Sequence, residues 1–185
     1  MRRVVQLVPE LLVSVSVTTR PPRSTERPGI DYRFVSDEVF DRMIADGELL
    51  EWAEIFGHRS GTPVGPIEAT LRAGRDALLE IDVQGARQIR GSRPDAVLIL
   101  LEPPSLEELE RRLRTRATED AEKLARRLAK ASWELEQRDW FDHVVVNDEL
   151  ERASSEVAAI IQGSRMSRAL NERAGPPETR KDPPP

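Results

Sequence analysis

Four apolar runs, residues 11–17, 77–83, 96–101 and 143–146, restrict the fold of this chain more than any other feature. Three of them are near-continuous rather than alternating. Successive strand residues face opposite sides of a sheet, so a run that is apolar throughout predicts a strand covered on both faces, as in a parallel sheet between helices. The intervening segments carry helix signals. Ser36 caps "DEVFDRMIAD", with acids in the first turn and Gly47 beyond the end. Residues 66–73 read as a short helix stopped by Gly74. In "SLEELERRLR", Ser105 and Glu108 predict a capping box, and Leu106, Leu109 and Leu113 a buried stripe. Residues 119–138 predict a long charged helix, and 149–161 an amphipathic one lying over the sheet. Strands alternating with helices imply βαβ units and an α/β fold.

One stretch breaks the pattern. Between residues 31 and 58, "DYRFVS" and "LLEWAEIFG" predict short strands flanking a helix, a small lobe inserted between the first and second core strands. After Gly163, "GSRMSRALNERAGPPETRKDPPP" has few core residues and many prolines and reads as a disordered tail over 163–185. The 185 residues suit one domain with its own core. Cysteine is absent, which rules out a disulfide or a thiolate metal site and fits a reducing, cytoplasmic setting. The net charge of −5 argues against a general nucleic-acid surface, and no apolar run approaches the ~20 residues of a membrane span. Only three lysines occur, Lys123, Lys130 and Lys181, against 25 arginines. Genomic base composition is the simple account of that imbalance.

In parallel sheets, ligands bind beyond the carboxyl ends of the strands. "SVSVTTRPPR" lies at such an end. Arg20 and Arg23, with Ser16 and Thr19 nearby, suit a phosphate, because a guanidinium fork pairs two oxygens at once. A solvated turn stiffened by Pro21 and Pro22 fits the spacing equally well. "LLEIDVQG" puts Glu80 and Asp82 two apart at a strand end, facing the same side, where they need a cation, a metal or ligand donors, or else cap a helix. Glu51, inside the apolar stretch "ELLEWAE", can accept hydrogen bonds from a base edge such as the amino and ring N–H of guanine; from the residues alone an exposed strand face is the stronger reading. In "RRLRTRATEDAEKLARRL", the arginines read first as a solvated helix face paired with glutamates, and second as a cluster closing on a triphosphate.

Taken together, "SVSVTTRPPR", "GIDYRFVS", "GELLEWAEIFGHRSGTP", "LLEIDVQGARQI", "LEPPSLEELERRL" and "FDHVVVNDEL" occur in the order found in guanylate kinases, and the resemblance covers about residues 13–161. The arginine content and the "HRSGT" variant resemble an actinobacterial version. The resemblance implies an α/β parallel-sheet nucleoside-monophosphate kinase fold of the P-loop NTPase type over 1–162, with an inserted GMP-binding lobe at about 31–64 and a helical lid at about 110–130. It implies phosphoryl transfer from ATP to GMP with Mg²⁺, in the cytoplasm. Carried over by position, Ser16, Arg20, Arg23 and Tyr32 resemble the residues that hold the GMP phosphate. Glu51 and Asp82 resemble the guanine-reading carboxylates, with Thr62 assisting and Glu80 facing the same site. Arg116 and Arg127 resemble lid arginines that close on the phosphates, with Arg20 completing the catalytic set. Asn147 resembles the contact near adenine, joining Arg116 on the ATP side.

The resemblance also has gaps. The family places a G-x-x-x-x-G-K-[ST] loop after its first strand, whose N–H groups and lysine cradle ATP phosphates. Here the first glycine is Gly29 and no lysine precedes Lys123. The sequence therefore predicts an N-terminally truncated version of the fold that opens just after this loop. The leading explanation is an incomplete chain, with little kinase activity expected of these 185 residues alone. The alternative is a catalytically dead module that binds GMP or a protein. Ser60 replaces a tyrosine usual in the family, and "TRAT" (115–118) replaces "GRGT" in the lid.

Overall fold

The computed structural model describes the backbone of residues 1–116 and 121–174, and the side chains of 1–115 and 122–168. In chain order the elements are α1 (Arg2–Leu7), β1 (Leu12–Val13), β2 (Val17–Thr18), β3 (Arg33–Phe34), α2 (Asp37–Ala45), β4 (Leu49–Ile55), β5 (His58–Pro63), α3 (Val64–Arg72), β6 (Ala77–Leu78), α4 (Val83–Ser92), β7 (Ile99–Glu102), α5 (Leu106–Arg116), α6 (Ala121–Glu136), β8 (His143–Val146) and α7 (Leu150–Ala174), with a single 3₁₀ turn at Arg138–Trp140 before β8.

The parallel core is present, with helices on both faces. Leu78 and Ile99 pack into a cluster formed by Val4 and Val8 of α1, Val145 of β8, and Ala153, Val157 and Ala158 of α7. Leu79, the next residue after Leu78, packs instead with Ala86 and Ile89 of α4 and with Leu98. Neighbouring residues thus bury against opposite helical layers, which is why these runs carry no polar alternation.

Strand pairing differs from the expectation in three ways. β1 pairs in parallel with β6, and β7 with β8, but among the described residues no ladder joins the two ribbons. The run 11–17 is divided between two sheets: Val13 pairs with Leu78, whereas Val17 pairs with Gly61 and Arg33. The run 77–83 pairs only over Ala77–Leu78, because Asp82 already caps α4 by accepting from the Gly85 N–H at 3.0 Å.

The inserted lobe is a four-stranded sheet in the order β3-β2-β5-β4, covered by α2, whose Phe40 and Met43 bury against Val17. Ser36 caps α2 and Gly47 follows it with φ +66°. β4 and β5 are joined by Phe56 and Gly57, both at positive φ, the conformation a two-residue hairpin turn requires.

Two helix expectations are corrected. α7 does not end near residue 161. It continues to Ala174, so the first part of the expected tail is helical. Tertiary bonds anchor it: Gln162 donates to the Leu7 carbonyl, Arg165 to the Pro9 carbonyl and to Asp76, and Arg168 to Asp76 at 2.7 Å. Residues 175–185 lie outside the described residues. On α5, the Ser105 hydroxyl accepts from the Glu108 N–H at 3.1 Å, but the Glu108 carboxylate turns to Arg111 and Arg112. Leu106 is exposed, because α5 packs chiefly against α6 rather than the core.

Candidate active site

The acidic half of the site forms where β4 and β5 meet the start of α4. Glu51 pairs with Thr62 across the β4–β5 ladder, and the Thr62 hydroxyl donates to Glu51 Oε1 at 2.6 Å. Both are buried, at 4 % and 0 % exposure, which overturns the exposed-face reading of Glu51. The other oxygen, Oε2, lies against Gly85 so closely that a Cβ there would sit 2.3 Å from it. Gly85 also donates its N–H to Asp82. The first turn of α4 therefore holds both carboxylates, near the positive end of the helix dipole. Burial pushes the Glu51 carboxyl above its ordinary pKa; the Thr62 hydrogen bond pulls it back, and the negative charge of Asp82 adds to the rise.

Asp82 is partnered from α6. Lys130 of α6 donates to Asp82 Oδ2 at 2.8 Å and to Glu134 at 2.6 Å. Burial opposes the ammonium charge, but the bonds to Asp82 and Glu134 outweigh it, so the Lys130 pKa lies above its usual value. Lys130 was not singled out in the sequence. Its signal was chemical rarity, one of three lysines in an arginine-rich chain. Glu80 does not join this pair. It is exposed, since the ladder stops at Leu78 and the strand periodicity that would align it with Asp82 ends there.

The basic half follows β2. The Arg20 fork is held by Glu26 through two bonds of 3.0 and 2.8 Å, and its guanidinium lies 5.3 Å from the Tyr32 ring centroid and 5.8 Å from that of Phe34. Glu26 also accepts the Arg23 N–H at 2.7 Å, while the Arg23 side chain is exposed. Glu26 is a residue that sequence reasoning missed; nothing in "STERPGI" marks it apart from the loop around it. Ser16 sits between β1 and β2, its carbonyl accepting from the Arg33 N–H at 2.8 Å.

The lobe sheet joins the two halves. Val17 and Thr18 pair with Gly61 and Ser60, and Trp52 and Glu51 with Gly61 and Thr62, so Arg20 and Glu51 issue from strands separated only by β5. Ser60 donates to the Thr18 hydroxyl at 3.0 Å. Arg127 of α6 stacks 5.8 Å from the centroid of Phe56 at the hairpin tip. The Arg116 side chain lies outside the described residues. Asn147 is exposed after β8, and its carbonyl accepts from Arg112 at 2.8 Å. A cleft of about 540 Å³ between hairpin, α4 and α6 is lined by Glu54, Ile55, Phe56, Gln84, Arg87, Lys130 and Trp133.

A parallel core with a mixed-sheet insert and a helical arm is the architecture of an α/β nucleotide kinase. The Guanylate kinase family model matches residues 6–164. The chain is 46 % identical to a guanylate kinase of Syntrophotalea carbinolica, over 92 % of this chain and 82 % of that one, and 52 % identical to one of Thermobifida fusca, over 83 % and 78 %. The crystal structure of guanylate kinase from Anaplasma phagocytophilum superposes with a TM-score of 0.76 at 34 % identity, covering 89 % of this chain and 81 % of that one. The chain belongs to the guanylate kinase family.

Proposed function

We propose that this chain transfers the γ-phosphoryl group of ATP to GMP, forming ADP and GDP. The observation that carries the reading is the buried Glu51 carboxylate, oriented by Thr62 and facing the α4 turn capped by Asp82. A guanine edge presents two adjacent donors, the ring N1–H and the 2-amino group, and a fixed carboxylate accepts both. Adenine presents no such pair. Arg20, with Arg23, Tyr32 and Ser16, takes the GMP phosphate; Arg20 is already oriented by Glu26 and the Tyr32 and Phe34 rings. Glu80 borders this pocket, Arg116 and Arg127 close from the lid on the transferring group, and Asn147 meets the adenine.

The chemistry asks mainly for position and positive charge. A GMP phosphate oxygen attacks the γ-phosphorus, the bond to the β–γ bridging oxygen breaks, and ADP leaves with that electron pair. Among the described residues no group of three or more His, Asp or Glu side chains could hold a metal. Mg²⁺ would enter on the phosphates of ATP, where it would neutralise charge on the transferring group. No helix of the described residues is long and apolar enough to cross a membrane, and we place the activity in the cytoplasm.

Within these 185 residues no G-x-x-x-x-G-K-[ST] stretch occurs. We therefore propose that the polypeptide limited to these residues binds GMP but turns over slowly. Calorimetry with GMP and with a non-hydrolysable ATP analogue, followed by a coupled assay, tests both statements. GMP binding without saturable ATP binding is expected. Failure to bind GMP overturns the site, and turnover at ordinary kinase rates overturns the second statement.

A further inference from the structure

One exposed polar contact between the inserted lobe and the core has an unusual geometry. β4 is an edge strand, and Trp52, adjacent to Glu51, turns its N–H and C=O away from β5. Both groups are taken by one side chain on α4: Gln88 Oε1 accepts from the Trp52 N–H at 3.1 Å, and Gln88 Nε2 donates to the Trp52 C=O at 2.6 Å. The carboxamide occupies the place of a peptide group on a missing neighbouring strand. Gln88 Nε2 also reaches the Gln84 carbonyl at 3.4 Å, so the side chain is held along its own helix.

The position along the chain gives this brace its meaning. Gln88 lies about one turn along α4 from Gly85, the residue that Glu51 abuts and that donates to Asp82. Glu51 and Asp82 come from different parts of the fold, one from the lobe and one from the core. Their separation is set wherever β4 touches α4. The absence of a Cβ at Gly85 allows the close approach, and the two Gln88 bonds fix its register.

We propose that Gln88 is a positioning residue for base recognition: it clamps the β4 backbone at Trp52 to α4, so that the Glu51 and Asp82 carboxylates converge on one ligand. This rests on the assignment of Glu51 to the guanine edge. Both bonds are solvent-accessible, where water replaces a lost partner at small cost. Their contribution is alignment of the carboxylates more than stability of the fold.

The test uses Gln88→Met, which keeps the shape and removes both bonds, and Gln88→Glu, which keeps the acceptor and sets a negative charge against the Trp52 carbonyl. NMR titrations with GMP and with ribose 5-phosphate separate base reading from phosphate binding. Both variants are expected to weaken GMP about tenfold or more, as loss of one or two aligned hydrogen bonds to the base implies, and to leave ribose 5-phosphate unchanged. GMP affinity within about twofold of the unsubstituted chain overturns the proposal. So does equal weakening of both ligands, the sign of general loosening. If the unsubstituted chain itself fails to bind GMP, the assignment of Glu51 falls and the role of Gln88 with it. Should one variant not fold, the other carries the comparison.

Discussion

Glu51 is a carboxylate folded into a place that disfavours its charge. Burial and the neighbouring Asp82 both raise its pKa, against the pull of the Thr62 hydroxyl. Only the ionised form accepts from both guanine donors; a protonated oxygen turns from acceptor to donor. GMP affinity should therefore decline as pH falls through the raised Glu51 value, a decline that begins above the ordinary carboxylate range of about 4.3. The phosphate of GMP titrates as well, near pH ~6, so Glu51→Gln provides the comparison: its titration should show the phosphate step alone. An identical pH profile in both proteins would remove Glu51 from the base site. A second prediction separates the two halves of the site. Glu51→Gln should weaken GMP and spare ribose 5-phosphate. Arg20→Met should weaken both, by roughly tenfold to a hundredfold, since a charge-assisted hydrogen bond contributes about 1.5–3 kcal/mol. Isothermal titration with the two ligands reads this directly, and a loss confined to GMP in Arg20→Met would take Arg20 away from the phosphate.

At the scale of elements, α4 and β4 act as one unit, and Gly85 is where they touch. An alanine Cβ would lie 2.3 Å from Glu51 Oε2, closer than real Cβ contacts come, and a tight 3.0 Å from Glu51 Cδ. Gly85→Ala should push the carboxylate off the helix turn. A loss of GMP affinity at least as large as that of Glu51→Gln is expected, with a helix whose own conformation is undisturbed, as circular dichroism would register. Unchanged affinity would mean that Glu51 reaches the base from another rotamer. The sequence made some of this legible. Asp82 before "VQG" could be read as a helix cap, and the motifs in order pointed to Glu51 and Thr62 through resemblance. The burial of Glu51 could not be read locally, because it depends on a helix 32 residues further on whose glycine leaves room. Glu26 and Gln88 were invisible for the same reason: each is an ordinary surface residue type whose partner is set by tertiary contact, and the rarity of lysine marked Lys130 without pointing to Asp82. The strand limits failed where one apolar run serves two sheets, a division that hydrophobicity alone does not mark.

For the whole molecule, the question is what holds two separate parallel ribbons together. α1 and α7 span them on one face through Val4, Val8, Ala153 and Val157, with Leu78, Ile99 and Val145 packed from the ribbons themselves. The ends of that layer are pinned by Asp76, which takes Arg165 and Arg168. Burial works against the Asp76 charge, but the two arginines outweigh it and hold the carboxyl below its usual pKa. A depressed folded-state value means that the stabilisation is complete above about pH 4 and drains away as pH falls through the folded value. Asp76→Asn should flatten the acid limb of the stability curve, measured by urea unfolding across that range, and a curve parallel to that of the unsubstituted chain would assign acid sensitivity elsewhere. The gap between the ribbons has a larger consequence. Among the described residues β6 and β7 each leave a row of peptide groups without a ladder partner, which water must then satisfy. Core strands normally supply the most protected part of a domain; here the lobe hairpin β4–β5, whose antiparallel ladder runs unbroken from Glu51–Thr62 to the turn, is better placed for that role. Hydrogen exchange should therefore be slower in β4–β5 than in β6 and β7, the reverse of an α/β protein with a continuous sheet. The 185-residue chain should melt below the roughly 45–65 °C common for mesophilic domains, over a broad range, because among the described residues the two ribbons share side-chain packing but no ladder. A single sharp transition within or above that range, with β6 and β7 the slowest to exchange, would show that helix packing alone makes the two ribbons one cooperative core.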